Sequence, residues 1–132
     1  MSVFVDTSAL LAVLDTDEAA HPRARAAWER LLREDEDLVS SSYVLVETWS
    51  LVQARLGMEA VRRLAEDVVP ALRMCWVDER VHAAAAGALL AARRRGLGLV
   101  DCASFALMEE MGLRRAFAYD RHFRERGFEL VA

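Results

Sequence analysis

The chain has 132 residues, of which 55% are hydrophobic and 29% charged, and its formal net charge is −4 at pH 7. This length predicts a single domain over residues 1–132 that buries its own core, and the negative charge argues against broad nonspecific binding to nucleic acid. Cys75 and Cys102 lack the spacing of a zinc site or a disulfide framework. Because there is no apolar run of membrane-spanning length and no basic signal-peptide flank, we expect a cytoplasmic protein that does not associate with membranes.

Short apolar strands alternate with helical segments along the chain. The strands are predicted at residues 2–6, 37–41, 73–77, 116–119 and 128–131. The helices are predicted at residues 8–14, 20–33, 43–56, 58–72, 79–95 and 101–111, with a short one after residue 120 and glycines at several of the stops. This alternation predicts an α/β fold in which helices cover both faces of a parallel sheet.

Two aspartates directly follow predicted strands. Asp6 ends the run VFV, and Asp120 follows FAY. In a parallel sheet the residues just after the strands gather at one edge, which is where open α/β folds bind ligands. Asp is also a favoured N-cap, and both residues precede helical segments, so helix capping is an equal alternative for each of them taken singly.

Two further acids lie in apolar surroundings. Glu47 is in the middle of SSYVLVETWSLV, a helical segment that is apolar almost all round and is therefore expected to be largely buried. It cannot be an N-cap, and its neighbours one helical turn away carry no positive charge, which leaves a distant Arg as the alternative to a functional role. Asp101, in GLGLVDCASFALM, follows a short apolar run and precedes a helix, so taken alone it is also interpreted as a cap.

The four carboxylates would repel one another at one edge of a sheet unless a cation neutralised them. Carboxylate and water oxygens are the ligands that Mg²⁺ or Mn²⁺ prefers, and the absence of Cys and His clusters argues against zinc. Because the sequence has no obvious nucleophile or cofactor motif, it favours a metal-activated water that hydrolyses a phosphodiester.

Four stretches together resemble a known family. VFVDTSALLAVL, SSYVLVETWSLV, GLGLVDCASFALM and FAYDRHF are similar to the PIN-domain ribonucleases, in particular the VapC-type toxins of prokaryotic toxin–antitoxin pairs. The resemblance spans essentially the whole chain. It implies a three-layer α/β/α sandwich whose five-stranded parallel sheet has the order 3-2-1-4-5.

The resemblance also implies a site and partners. Asp6 and Asp101 would be the principal ligands of Mg²⁺ or Mn²⁺, Glu47 and Asp120 would complete the acidic pocket, and Ser8 would orient the first carboxylate. The implied activity is cleavage of RNA to leave a 3′-hydroxyl and a 5′-phosphate, as the toxin of a type II toxin–antitoxin system. The implied partners are a second copy of the chain in a homodimer and a small antitoxin protein.

Other polar and aromatic residues are assigned from their positions. Arg121 and Arg124 follow Asp120 closely and are expected to contact RNA phosphate. His122 is expected at the surface and outside the metal-binding set. Trp49 lies on an apolar helical stripe and is expected in the core, with a partner surface as the alternative.

Several other classes of protein lack the residues they need. A haloacid-dehalogenase-type phosphatase requires a second Asp at the position of Ser8, and a response-regulator receiver or a phosphate-binding nucleotide loop requires a Lys, which this chain lacks. The alternative that stays open is a PIN-like module that binds RNA or protein and uses its acids only for structure.

Overall fold

Five parallel strands form one sheet in a computed structural model that describes residues 1–131. The strands are β1 (Ser2–Val5), β2 (Asp37–Ser41), β3 (Arg73–Cys75), β4 (Arg115–Phe117) and β5 (Glu129–Leu130). Their order is β3-β2-β1-β4-β5, and every neighbouring pair is parallel, which confirms the predicted topology. The VFV run of β1 is fully buried because the central strand of such a sheet is covered on both faces.

Seven α-helices connect the strands: α1 (Thr7–Leu14), α2 (His21–Arg33), α3 (Ser42–Leu56), α4 (Met58–Arg63), α5 (Glu79–Ala92), α6 (Leu99–Met111) and α7 (Arg121–Glu125). Right-handed crossovers place α1 to α4 on one face of the sheet and α5 to α7 on the other, because the direction of travel along the sheet reverses after β3. The result is the predicted three-layer α/β/α sandwich. Within residues 1–131, no helix has the length and apolar character needed to cross a membrane.

Two predicted helices have different bounds in the structure. The helix predicted at residues 58–72 ends as α4 at Arg63 and continues as a π-turn (Leu64–Val68) and a 3₁₀ turn (Val69–Ala71). Pro70 accounts for the break, because its ring clashes with the carbonyl four residues earlier and it has no N–H to donate. The helix predicted to begin at Asp101 begins at Leu99, so Asp101 lies in its first turn rather than at its cap.

The third helix is less buried than its composition suggests. Its inner face carries Val44, Thr48 and Val52, which are spaced by four residues and are all buried. Its outer face exposes 63% of Val46 and 38% of Trp49, so the predictions of a largely buried helix and of a core position for Trp49 were wrong. The apolar residues of α3 are therefore divided between a face that packs inside the protein and a face that is exposed.

Aromatic packing fixes the short helix α7 against the sheet. Phe123 is fully buried, with its ring 6.5 Å from that of Phe4 in β1 and 5.0 Å from that of Phe105 in α6. Burial of such a side chain stabilises the fold by about 2–3 kcal/mol. The five-residue helix therefore holds a defined position, and so do Asp120 and His122 on either side of its first residue.

Candidate active site

The first carboxylate lies at the end of the central strand. The Asp6 amide donates to the Phe117 carbonyl at 3.0 Å, which continues the pairing of β1 with β4 and places Asp6 at the carboxyl edge of the sheet. Its Oδ2 accepts hydrogen bonds from the Ser8 amide at 3.1 Å and the Ser8 hydroxyl at 2.7 Å. Only 3% of Asp6 is exposed, and burial raises the pKa of its carboxyl to about 6. The Ser8 hydrogen bonds oppose this rise, while the charges of Asp101 and Asp120 add to it.

The second carboxylate comes from the helical layer on the face of the sheet opposite α1. Asp101 is in the first turn of α6, where its Oδ2 accepts a hydrogen bond from the Gly98 amide at 3.1 Å. Burial raises the pKa of Asp101 to about 6. The Gly98 amide and His122 oppose the rise, whereas the charges of Asp120 and Glu47 increase it. The mutual electrostatic effects show that the four predicted acids share one neighbourhood.

Asp120 and a histidine complete a compact group with Asp101. Asp120 Oδ1 accepts from the His122 amide at 2.9 Å, and this turn places His122 Nδ1 2.8 Å from Asp120 Oδ1 and 3.9 Å from Asp101 Oδ2. The short contact lacks hydrogen-bond geometry, so the buried Nδ1 has no hydrogen-bond partner among residues 1–131. One donor atom from each of the three residues lies within 4.8 Å of the other two.

The prediction of a surface position for His122 was wrong, because only 11% of its side chain is exposed. The signal that could have found it is the Asp-x-His spacing at a helix start. An aspartate that caps a helix accepts from the amide two residues later, so it draws that residue's side chain towards its own carboxylate.

Glu47 lies farther from the centre of the group. The buried Thr48 hydroxyl donates to the Thr7 hydroxyl at 3.0 Å, and this bond ties α3 to α1 beside Asp6. Glu47 is half-buried and makes no ion pair within residues 1–131, so the distant Arg considered above is not found there. The compact group of three donor residues includes neither Glu47 nor Asp6.

Each of the three aspartates accepts a hydrogen bond from a backbone amide at the start of a helix. Asp6 caps α1 and Asp120 caps α7, while Asp101 bonds the capping amide at the start of α6. Three helix N-termini therefore direct their positive ends at one acidic pocket, which lowers the cost of bringing the carboxylates together. These hydrogen bonds do not offset the burial of Asp6 and Asp101, whose pKa values stay raised.

The predicted substrate-binding arginines lie outside the acidic pocket. Arg121 and Arg124 are exposed on α7, and neither pairs with the four acids within residues 1–131. Arg121 forms a 3.6 Å ion pair with Glu125, and both arginines line a cleft next to Tyr119.

Comparison with known proteins identifies the family. A family model for the PIN domain matches residues 3–129. The chain belongs to the PIN-domain family. This PIN domain is 32% identical over 127 residues to the 23S rRNA-specific endonuclease VapC20 of Mycobacterium tuberculosis, and the match covers 96% of this chain and 95% of that protein.

Solved structures agree with this family assignment. The crystal structure of Mycobacterium tuberculosis VapC20, a sarcin-ricin loop cleaving toxin, matches with a TM-score of 0.83 and 30% identity over 96% of this chain and 95% of that one. FitAcB from Neisseria gonorrhoeae matches with a TM-score of 0.70 at 18% identity and covers 100% and 97% of the two chains. DNA-bound VapBC from Salmonella typhimurium matches with a TM-score of 0.69 at 20% identity and covers 98% and 97%. The last two share the fold.

Proposed function

We propose that this PIN domain is an endoribonuclease of the toxin class that hydrolyses RNA phosphodiester bonds with a divalent cation. The observation that carries the proposal is the group formed by the buried Asp6 and the half-buried Asp101 and Asp120, at the sheet edge where α/β folds place ligands. Among residues 1–131, none of these three carboxylates pairs with an Arg. Membership of the PIN family and the 32% identity to the VapC20 endonuclease support the same reaction class.

The residues at this edge fit a divalent cation. Asp6 and Asp101 are carboxylates whose pKa values are raised by burial and by neighbouring negative charge, so a cation would favour their ionised forms. The buried Nδ1 of His122 has no hydrogen-bond partner among the described residues and adds a nitrogen donor. A set dominated by carboxylate oxygen suits Mg²⁺ or Mn²⁺ rather than zinc.

The protein's residues have distinct roles in this proposal. Asp6, Asp101 and Asp120 would hold the cation, with His122 beside them and Glu47 adding negative charge from α3. Ser8 fixes the carboxylate of Asp6 through its amide and hydroxyl. The Tyr119 amide in turn donates to the Ser8 hydroxyl at 2.9 Å, so the segment before Asp120 is linked to Asp6.

A divalent cation held by Asp6, Asp101 and Asp120 would supply Lewis acidity, which would polarise the scissile phosphate and lower the pKa of an attacking water. Water adds to phosphorus as the bond to the 3′-oxygen breaks, which leaves a 3′-hydroxyl and a 5′-phosphate. Burial keeps the carboxylates of Asp6 and Asp101 poorly solvated, so they would interact more strongly with a cation than they would in bulk water.

The deciding experiment is cleavage of a panel of structured RNAs by EDTA-stripped protein, with and without added Mg²⁺ or Mn²⁺. We expect the metal to restore cleavage in wild type but not in Asp6→Asn or Asp101→Asn. Asp37→Asn is the matched control, because Asp37 is an acid at the opposite edge of the sheet that pairs with Arg73. Absence of cleavage under both metals, with folded variants, would contradict the proposal and favour a binding module that uses its acids only for structure.

Two partners extend the proposal. We propose a cognate antitoxin protein and a homodimer, in line with the toxin class to which VapC20 belongs. Light scattering on the isolated protein measures its oligomeric state. Co-expression with a short neighbouring reading frame, followed by copurification and a test for inhibited RNA cleavage, checks the antitoxin.

A further inference from the structure

A basic cleft adjoins the acidic pocket at the carboxyl ends of β4 and β5. Its volume is about 270 Å³, and its lining residues are Arg23, Ala118, Tyr119, Arg121, Arg124 and Leu130. Tyr119 directly precedes Asp120, and its amide donates to the Ser8 hydroxyl that holds Asp6. The cleft and the acidic pocket therefore share the segment Ala118 to Asp120 as a common wall.

The charge of this basic cleft differs from that of the whole chain. The chain carries a net charge of −4, yet three of the six lining residues are arginines and none is acidic. Arg23 comes from α2, while Arg121 and Arg124 come from α7. Arg23 and Arg124 form no ion pair within residues 1–131, so their guanidinium groups are free to bind an anion.

Tyr119 provides a second kind of donor in the basic cleft. Its buried hydroxyl has no hydrogen-bond partner in the described part of the chain, and the Arg23 guanidinium lies over its ring at 5.5 Å. Burial raises the pKa of the phenol, with Arg23 and Arg30 opposing the rise, so the hydroxyl keeps its proton at neutral pH. An O–H donor without a partner, on a residue that lines the cleft with three arginines, is suited to the oxygens of an anion.

We propose that the basic cleft binds a backbone phosphate of the RNA strand next to the scissile bond, with Arg23, Arg124 and the Tyr119 hydroxyl as donors. This inference rests on the proposed ribonuclease function. Because the two sites share a wall, an RNA strand whose scissile bond lies in the acidic pocket would extend into the basic cleft. Binding of the strand there also resolves an electrostatic conflict. An acidic pocket repels a polyanion, and a basic cleft beside it attracts the strand to the correct side.

The test measures binding of a short, fluorescently labelled single-stranded RNA in EDTA, where metal-dependent cleavage does not occur. Arg23→Ala is compared with Arg33→Ala, a matched loss of one exposed Arg from the same helix about 15 Å further along its axis. We expect Arg23→Ala to weaken binding about tenfold and to reduce the slope of log affinity against log salt by about 0.7. Arg33→Ala should change the affinity less than about twofold, since it is remote from the basic cleft.

The Tyr119→Phe variant tests the contribution of the hydroxyl to binding separately from that of the ring. It should weaken RNA binding by about threefold without changing the salt slope, because a donor is lost but no charge. Thermal unfolding checks that each variant is folded. Equal binding by Arg23→Ala and Arg33→Ala would overturn the proposal, and so would displacement of the RNA by oligoglutamate of equal charge at equal concentration, which would indicate a site for any polyanion.

Failure of this inference can be distinguished from failure of the proposed function. If wild type binds RNA through Arg23 but cleaves none with Mg²⁺ or Mn²⁺, the phosphate site stands and the ribonuclease proposal fails. If wild type cleaves RNA and Arg23→Ala matches Arg33→Ala in both binding and cleavage, the ribonuclease stands and the phosphate site fails.

Discussion

The amino ends of the parallel strands form one edge of the sheet and their carboxyl ends form the other, and both edges carry acidic residues. The two edges differ in whether cationic groups pair with these acids. At the amino edge, Asp37 accepts two hydrogen bonds from Arg73, at 3.0 and 2.7 Å, and one from Ser2 at 2.7 Å. These hydrogen bonds lower the pKa of Asp37 to about 2. Burial disfavours ionisation of the neighbouring Glu36, yet Arg115 and the N-terminal ammonium, each 3.3 Å away, outweigh it and hold the pKa of that carboxyl below its usual range.

At the carboxyl edge, neither an Arg nor the N-terminal ammonium pairs with Asp6, Asp101 or Asp120 among residues 1–131. Asp6 and Asp101 each have a pKa raised to about 6. Within residues 1–131 neither forms an ion pair with an Arg, and the basic side chain within 4 Å of Asp101 is the imidazole of His122, at 3.9 Å. The same fold thus supplies its own cations at one edge and lacks them at the other. The comparison separates acids that the fold pairs with cations from acids that it leaves without an Arg, and the second group is the one proposed to hold the metal.

The largest expected effect is on catalysis. Asp120→Asn should reduce metal-dependent RNA cleavage by about 10³-fold, because loss of a ligand removes several kcal/mol of transition-state stabilisation. Asn is also a good N-cap, so α7 should be retained. Asp37→Asn at the paired edge should cleave within about twofold of wild type. Equal losses in initial cleavage rate for the two variants would break the distinction between the edges.

The next effect is on stability in EDTA. Asp6 has a pKa of about 6 in the fold against an ordinary value of 3.8, so the folded protein binds more protons than the unfolded chain between these values. The free energy of unfolding therefore falls as pH rises through this window, by at most about 1.4 kcal/mol per pH unit. Asp6→Asn should be more stable than wild type at pH 7 and equally stable near pH 4, as measured by thermal unfolding.

Asp37→Asn provides the control of opposite sign. The pKa of Asp37 is lowered to about 2, so its contribution is present above pH 4 and is lost as pH falls towards 2. This variant should be less stable than wild type at pH 7. A destabilised Asp6→Asn at pH 7 would contradict the claim that its charge is uncompensated.

A smaller effect is expected from the histidine. His122→Gln should weaken Mn²⁺ binding about tenfold, since the variant loses the unpartnered imidazole nitrogen. Mg²⁺ binding should weaken less, because Mg²⁺ takes oxygen ligands. Isothermal titration with each metal measures the difference, and an equal loss for both ions would assign His122 to positioning the carboxylates.

The smallest effect is expected at the paired edge. Arg73→Ala removes an exposed ion pair with Asp37 and should cost less than about 1 kcal/mol of stability, measured by chemical unfolding. The rate of RNA cleavage should not change. A drop in cleavage of tenfold or more would show that the two edges are coupled.

Much of the fold could be predicted because the strands are short apolar runs separated by glycine stops and helical periodicity. The order of the sheet came from resemblance, since alternation alone does not determine which strands are neighbours. The bounds near Pro70 and Asp101 were less predictable, because a π-turn before a proline and an N-cap glycine leave weak local signals. The exposure of Trp49 depends on how α3 packs against its neighbours, which its apolar composition does not specify.

The candidate site was predictable to the extent that its acids lie in apolar surroundings. Glu47 and Asp101 were selected by that criterion, whereas Asp6 and Asp120 were selected because they directly follow predicted strands. The charges of Asp120 and Glu47 act on Asp101, and those of Asp101 and Asp120 act on Asp6. His122 was missed because a polar residue at a helix start usually faces solvent. Arg23 could not have been found from local sequence, since its proximity to Tyr119 depends on the packing of α2 near the end of β4.

The most direct test of the metal site is calorimetric titration of Mn²⁺ into EDTA-stripped, dialysed protein at pH 7. Wild type, Asp101→Asn and Asp37→Asn would be measured side by side. We expect saturable binding to wild type and Asp37→Asn and its loss in a folded Asp101→Asn variant. Equal binding to all three proteins, or no binding to wild type, would contradict the claim that the unpaired carboxyl edge is a metal site.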